Sequence, residues 1–234
     1  MWSQIKENFL FLLCCAGIVA CLAVLAHIAE HFLPATRRTS RTRRLCIIAI
    51  CSAIAAVLHM LNFPLLFLAP EFYKLDFSEL PVMRCGFYLG PSAAVACEAV
   101  KIILKLLLKG TSTAFVGDFA NFVIGCSLVL PAAIVYHTKK SRKSALWGLL
   151  LGTAVLTVFG SLFNAIYLLP KFSQLYGLPL DAIIGMGSKI NGSIHSLQTF
   201  VLLAVAPLNL IKGVMISVLT LLLYKKVARP LFGK

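Results

Sequence analysis

Long apolar stretches, each close to the length of a membrane-spanning helix, are the feature that most constrains this chain. A helix needs about 20 apolar residues to cross roughly 30 Å of hydrocarbon. Apolar residues make up 60% of the 234 residues and charged residues only 13%, about half the charged fraction typical of soluble domains. A soluble domain of this length could not bury so much apolar surface. The sequence therefore predicts an all-α, polytopic membrane protein.

The apolar stretches predict one extra N-terminal helix followed by a six-helix core. The predicted spans are residues 8–28, 45–68, 80–91, 92–108, 114–135, 145–168 and 204–226. Residues 69–79 form an external loop, and residues 170–203 form an external segment with an interfacial helix. The expected division is an N-terminal helix (1–35), a basic cytoplasmic linker (36–44) and a membrane domain (45–234).

Basic residues are concentrated in three short clusters, each beside a predicted span. The clusters are Arg37–Arg44, Lys139–Lys143 and Lys225–Lys234. Cytoplasmic flanks of membrane helices carry such an excess of Lys and Arg, and the predicted topology brings all three clusters to one side. We therefore expect a cytoplasmic C-terminus and an external N-terminus. The net charge of +14 follows from this placement and does not indicate a nucleic-acid partner.

Polar side chains of three predicted helices fall at a similar depth near the outer ends of those helices. At 1.5 Å per residue, all of them lie within about 12 Å of these ends. The residues are Asp118, Asn121, Asn164, Asn209 and Lys212. Such groups should face the bundle interior and one another.

Two interpretations of this polar layer remain open on the residues alone. In one, Lys212 pairs with Asp118 and the amides hold the helices together. In the other, the layer lines a ligand pocket. Three amides exceed what one ion pair needs, and amides with a cation suit a flat heterocycle rich in carbonyls and ring nitrogens.

Other chemical patterns in the chain are weaker. His27, Glu30 and His31 match the H-x-x-E-H zinc-peptidase pattern, but they lie at a helix end without an evident third ligand. Glu98 and Lys101 are spaced as an interior ion pair, with a transport path as the alternative. The eight cysteines lie in apolar segments without a C-x-x-C pair, which favours packing over metal binding or disulfides. The chain has no phosphate-binding loop with which to hydrolyse ATP itself.

Four ordered motifs carry a family resemblance over about residues 45–228. They are LDFSELP (75–81), GFYLGP (86–91), KGTSTAFVGDFANFVIG (109–125) and PLNLIKG (207–213). Together they resemble the riboflavin-binding S component of energy-coupling factor (ECF) transporters, the RibU family. The resemblance implies a six-helix substrate-capture subunit of the bacterial plasma membrane without enzymatic activity or a cofactor. Riboflavin or FMN would be its transported ligand.

The resemblance also assigns roles to residues of this chain. Asn164, Asn209 and Lys212 would hold the isoalloxazine ring, and the loop before DFSELP would close over the site with Leu75 and Asp76 near the ligand. The full predicted substrate-binding set is Asn164, Asn209, Lys212, Asp118, Asn121, Thr113, Leu75 and Asp76.

Partners follow from the same resemblance. The subunit would dock on a shared ECF transmembrane subunit that works with two cytoplasmic ATPases. Small residues four apart on the first core helix permit close helix approach: Ala49 with Ala53, and Ser52 with Ala56 as a neighbouring pair. Ordinary packing inside the bundle is the alternative for these residues.

The chain departs from the family pattern in three places, and the departures at Asp118 and Arg84 leave the ligand open among riboflavin, its phosphate and an analogue. Asp118 stands where the family pattern has glutamate, Arg84 where it tends to have a small residue, and the N-terminal helix is additional. The alternative functions are an S component for another vitamin and, from a different class, a membrane metalloenzyme using His27, Glu30 and His31.

Overall fold

The computed structural model describes residues 2–33 and 40–226, with side chains for residues 15–33 and 40–223. Helices dominate this part of the chain. They are α1 (Trp2–Phe32), α2 (Arg41–Met60), α3 (Glu79–Leu89), α4 (Pro91–Lys109), α5 (Val116–Lys139), α6 (Arg142–Phe163), α7 (Leu169–Tyr176), α8 (Leu180–Ser188), α9 (Leu197–Phe200) and α10 (Ala206–Lys226). Two-residue strands, β1 (Phe63–Pro64) and β2 (Lys74–Leu75), pair antiparallel between α2 and α3. The predicted cluster at residues 225–234 falls almost wholly outside the described residues.

Five helical segments of the described chain are long and apolar enough to cross a bilayer. They are Cys15–Phe32, Arg41–Met60, Val116–Lys139, Arg142–Tyr176 and Leu197–Leu223. The two other predicted spans, 80–91 and 92–108, correspond to α3 and α4 and do not meet this requirement. Helix α3 has only 11 residues, and α4 carries Glu98, Lys101 and Lys105 within its length.

Several predicted boundaries were wrong. Helix α2 begins at Arg41, inside the predicted linker, because the Ser40 side chain accepts a hydrogen bond from the Arg43 backbone N–H (3.4 Å) and caps the first turn. Residues 36–39 of that linker lie outside the described residues. Helix α2 ends at Met60, eight residues before the predicted end of its span, so β1 lies within the predicted span 45–68 and only β2 lies within the predicted external loop. The last membrane helix begins at Leu197, seven residues before its predicted start, with Ser196 in a capping box.

The predicted outward helix at 145–168 continues to Tyr176 through a π-helical turn at Asn164–Leu168. Pro170, at which the sequence predicted the end of the helix, lies in the first turn of α7. Proline lacks the N–H that an uninterrupted α-helix would use at this position. The π turn immediately before it changes the hydrogen-bond register, so the helix proceeds. A second π turn, Val201–Val205, precedes α10.

Tight backbone contact joins α5 to α6. A Cβ atom added at Gly152 would lie 2.5 Å from the Leu128 carbonyl oxygen, and one at Gly148 would lie 2.6 Å from the Ala132 carbonyl oxygen. Small residues permit such approach between membrane helices. Helix α6 also packs against α10, where the Thr153 and Ser217 hydroxyls lie 3.1 Å apart.

Polar contacts show that the basic start of α2 and the basic turn between α5 and α6 lie at the same end of the bundle. Arg44 donates to Ser92 Oγ (2.6 Å) at the α3–α4 turn, and His137, near the end of α5, lies 3.0 Å from the Gly86 carbonyl oxygen. The Arg41–Arg44 and Lys139–Lys143 stretches therefore share one end. Glu30 of α1 accepts from Ser92 and lies 3.6 Å from Arg44, so the start of α1 lies toward the opposite end.

Gly152→Ala tests the α5–α6 contact. The methyl group would meet a backbone oxygen that cannot move aside, so we expect the variant to lose about 1 to 3 kcal/mol of stability through overpacking. Gly185→Ala on α8 is the matched control, since nothing lies within 4 Å of an added Cβ there. Thermal unfolding in detergent measures both, and equal midpoints for the two variants would contradict the close approach.

Candidate functional site

A cavity of about 790 Å³ lies at the end of the bundle away from the Arg41–Arg44 stretch. Its wall is formed by the segment that contains β1 and β2 and runs to Asp76 (the β1–β2 segment, residues 63–76), by the α4–α5 turn, by the outer parts of α5 and α10, and by the π turn at 164–168. All eight predicted substrate-binding residues line it: Thr113, Asp118, Asn121, Asn164, Asn209, Lys212, Leu75 and Asp76. The structure therefore brings together side chains that are as much as 137 positions apart in the sequence (212 − 75).

Asn164 is fixed in one orientation by two hydrogen bonds. Its Nδ2 donates to the Gly160 carbonyl oxygen (2.7 Å), and its Oδ1 accepts from the Tyr73 hydroxyl (2.8 Å). Burial raises the pKa of Tyr73 above its ordinary value, so this hydroxyl stays protonated and remains a donor. These two bonds leave one N–H and one lone pair of Oδ1 on Asn164 for a ligand.

Asn209 presents an amide nitrogen without a hydrogen-bond partner among the described residues. The residue is 6% exposed and lines the cavity. Gly160 makes room for it, because a Cβ there would lie 2.9 Å from Asn209 Nδ2. Buried polar groups are hydrogen-bonded in most proteins. An unpaired amide N–H at a cavity wall is therefore suited to donate to a hydrogen-bond acceptor on a ligand.

Lys212 does not pair with Asp118, contrary to the structural alternative considered from the sequence. Its Nζ donates to Glu79 Oε1 (3.0 Å) and lies 3.5 Å from Asp76 Oδ2. Asp118 instead pairs with Lys105 (2.5 Å). The reason is packing: α4 ends beside the start of α5, whereas α10 lies against α3.

The pairs form a chain of buried ionisable groups that joins α2, α3, α4, α10 and the residue after β2. His59 Nδ1 lies 3.1 Å from Asp76 Oδ2, and Glu79 lies between Lys212 and Lys101, with its Oε1 3.5 Å from Lys101 Nζ. Lys101 also forms the predicted interior ion pair with Glu98. We call the group of six residues that these contacts join the charge chain: His59, Asp76, Lys212, Glu79, Lys101 and Glu98.

The electrostatics of Asp76 follow from its place in this chain. Burial raises the pKa of its carboxyl, but Lys212 and the hydrogen-bonded His59 outweigh burial and hold that pKa well below its usual range. Asp76 therefore stays ionised, and it also accepts from the Ser78 backbone N–H (2.8 Å).

Sequence reasoning did not assign roles to three residues of this region: Glu79, His59 and Tyr73. Glu79 lies within the LDFSELP motif, so the motif itself was a usable signal. His59 lies at the end of α2, and Tyr73 lies just before β2. Nothing in their local sequence distinguishes them.

The predicted docking residues separate into two pairs. Ala49 and Ala53 are exposed on α2, whereas Ser52 and Ala56 are buried. Ser52 Oγ donates to the Cys97 carbonyl oxygen (3.1 Å) across the α2–α4 contact. The prediction of an outward role was therefore wrong for Ser52 and Ala56, since four-residue spacing does not tell which helix face points inward.

The H-x-x-E-H pattern at residues 27–31 is engaged in helix contacts. Glu30 contacts Ser92 and Arg44, and no group of three His, Cys, Asp or Glu side chains that could hold a metal occurs in residues 15–33 and 40–223. The described part of the chain thus gives the metalloenzyme alternative no supporting geometry.

Comparison with known proteins identifies the family. A family model described as "ECF transporter, substrate-specific component" matches residues 43–224. The chain is 34% identical over 187 residues to the riboflavin transporter FmnP of Bacillus subtilis (strain 168), covering 80% of this chain and 92% of that protein. It is 35% identical over 188 residues to the riboflavin transporter RibU of Staphylococcus aureus (strain TCH60), with the same coverage.

A solved structure, "Structure and mechanism of the S component of a bacterial ECF transporter", has a TM-score of 0.65 to this chain and 36% identity, covering 82% of this chain and 99% of that one. These matches confirm the predicted all-α membrane fold and the prediction of a transport subunit rather than an enzyme. Helix α1 lies before the matched range. The chain belongs to the substrate-specific (S) components of ECF transporters.

Proposed function

We propose that this chain captures riboflavin, or a close flavin, at the outer face of a bacterial plasma membrane and delivers it inward. The observation that carries the proposal is the convergence of amides and an ammonium on one cavity, in a chain whose relatives are named riboflavin transporters. The relatives come from bacteria. The basic flanks at the opposite end of the bundle favour a cavity that opens outward.

The chemistry of the cavity suits an isoalloxazine ring. Ligand pockets commonly enclose about 300 to 1,000 Å³ and combine apolar walls with a few placed polar groups, and the cavity volume lies in that range. Leu75, Leu168 and Leu208 supply apolar wall. Asn164, Asn209 and Lys212 supply donors for the carbonyl oxygens and ring nitrogens of the ligand edge. Asp118, Asn121 and Thr113 remain the proposed polar contacts at the α4–α5 side.

Delivery requires other polypeptides. The chain has no ATP-binding loop, and S components are the substrate-specific part of ECF transporters. We propose docking on an ECF transmembrane subunit that is energised by two cytoplasmic ATPases, with Ala49 and Ala53 at the contact. Both alanines are exposed and four positions apart, so another helix can approach α2 closely there.

The direct test is to purify the chain from cells and identify what it carries. We expect mass spectrometry to find riboflavin, and titration with riboflavin to quench its fluorescence at a one-to-one ratio. A ligand-free protein that quenches no flavin, or that binds another vitamin more tightly, would overturn the proposal.

Asn209→Ala should weaken riboflavin binding by about 10- to 100-fold, because losing a hydrogen bond to the ligand costs on the order of 1 to 3 kcal/mol. The melting temperature without ligand should change little, since Asn209 Nδ2 has no partner within the described residues. Asn191→Ala, outside the cavity lining, is the matched control. A fall in melting temperature with unchanged affinity would assign Asn209 a purely structural role.

Substituting Ala49 and Ala53 together by leucine should abolish cellular uptake of riboflavin while the isolated subunit still binds it normally. Exposed positions tolerate larger side chains in the isolated subunit, but a close helix contact does not. Ala154→Leu, an exposed alanine on α6, is the control and should leave uptake intact. Loss of riboflavin binding by the double variant would mean that the alanines pack the bundle.

A further inference from the structure

The ammonium of Lys212 lies at the cavity wall and contacts two carboxylates, that of Asp76 in the wall and that of Glu79 outside it. Lys212 has three N–H donors. One is bonded to Glu79 Oε1 at 3.0 Å, and Asp76 Oδ2 lies 3.5 Å from the same nitrogen. Two carboxylates thus neighbour the ammonium, and its three N–H groups leave one donor for a ligand.

Glu79 is itself held by a second lysine. Its Oε1 lies 3.5 Å from Lys101 Nζ, and Lys101 also donates to Ser78 Oγ (3.1 Å) and pairs with Glu98. Glu79, Lys101 and Glu98 are each at most 1% exposed. A flexible lysine on α10 is thereby tied to α3 and α4.

The far end of the charge chain rests on α5. A Cβ added at Gly125 would lie 2.2 Å from Glu98 Oε1, so the Glu98 carboxyl group occupies the space that a side chain would take at that position. Glycine at residue 125 therefore admits Glu98 against the backbone of the helix that carries Asp118 and Asn121 into the cavity.

None of Glu79, Lys101 and Glu98 lines the cavity in the described part of the chain. Glu79 is bonded directly to the cavity residue Lys212, which gives the three residues a short route to a bound ligand. We propose that Glu79, Lys101 and Glu98 are positioning residues for Lys212, and that this buried row of charges sets the affinity for the flavin without touching it. The inference rests on the proposed function.

A double-mutant cycle between Glu79→Gln and Lys212→Met tests the inference. Glutamine keeps the size of Glu79 but removes its charge. We expect Glu79→Gln to weaken riboflavin binding about 10-fold in the unaltered chain and less than about 2-fold in the Lys212→Met chain, because coupled residues give non-additive effects. Glu98→Gln, farther from the cavity, should weaken binding about 3-fold and show the same dependence on Lys212.

The visible absorption band of bound riboflavin supplies a second readout that a loss of folded protein does not move. At saturating riboflavin, Glu79→Gln should shift this band in the same direction as Lys212→Met. Ser217→Ala is the matched control, since it removes a part-buried hydrogen bond between α10 and Thr153 of α6 that lies outside the charge chain. It should change neither the band nor the affinity.

The outcomes separate the two proposals. Equal fold-losses for Glu79→Gln with and without Lys212, or no loss at all, would overturn the positioning role while riboflavin binding by the unaltered chain stands. Absence of riboflavin binding by the unaltered chain would overturn the proposed function together with this inference. If Lys212→Met cannot be purified, Lys212→Gln, which removes the ammonium charge, takes its place in the cycle; the expected non-additivity has the same sign and is smaller, because an amide can still bond to Glu79.

Discussion

Neutralisation of Lys212 inside the bundle is the interaction on which the cavity depends. An unpaired ammonium at the centre of a membrane helix costs about 2.5 to 3.5 kcal/mol on insertion scales. Here Glu79 and Asp76 take up that charge. Removing one partner of a buried pair typically costs about 3 to 5 kcal/mol, so α10, α3 and the segment before α3 are fixed relative to one another. A cation can then lie at a cavity wall inside the bundle.

The β1–β2 segment is tied to the same groups that we propose for the ligand. Tyr73 donates to Asn164, and Asp76 contacts both Lys212 and His59. The segment therefore forms part of the cavity wall and also orients an amide and an ammonium of the helical wall. A displacement of this segment would remove both constraints together.

Hydropathy and basic flanks predicted the membrane helices and their relative directions, because burial in a bilayer leaves a strong one-dimensional signal. Helical rise alone brought Asp118, Asn164 and Lys212 to one depth, and the structure brings all three to one cavity. The partner of Lys212 was beyond such reasoning. Depth does not tell which helices are neighbours, and Glu79 lies 133 residues away in the chain.

Local irregularities escaped prediction for a different reason. The π turn at Asn164–Leu168 carries the helix past Pro170, although proline and the end of an apolar stretch normally indicate a helix end. The orientation of α2 was equally hidden: its small residues repeat on two faces, and only packing against Cys97 of α4 shows that Ser52 points inward.

The additional helix α1 is placed where it leaves the exposed alanines of α2 uncovered. Its apolar residues Val19, Leu22 and Ala26 pack with residues of α4 and α5. Its Glu30 reaches the α3–α4 turn, where a Cβ at Gly90 would come within 3.0 Å of the carboxylate. Ala49 and Ala53 stay exposed in the presence of α1. Helix α1, which precedes the range matched by the family model, thus packs on the α4–α5 side of the bundle. The α2 surface around Ala49 and Ala53, which we propose for docking, remains open to close approach by another helix.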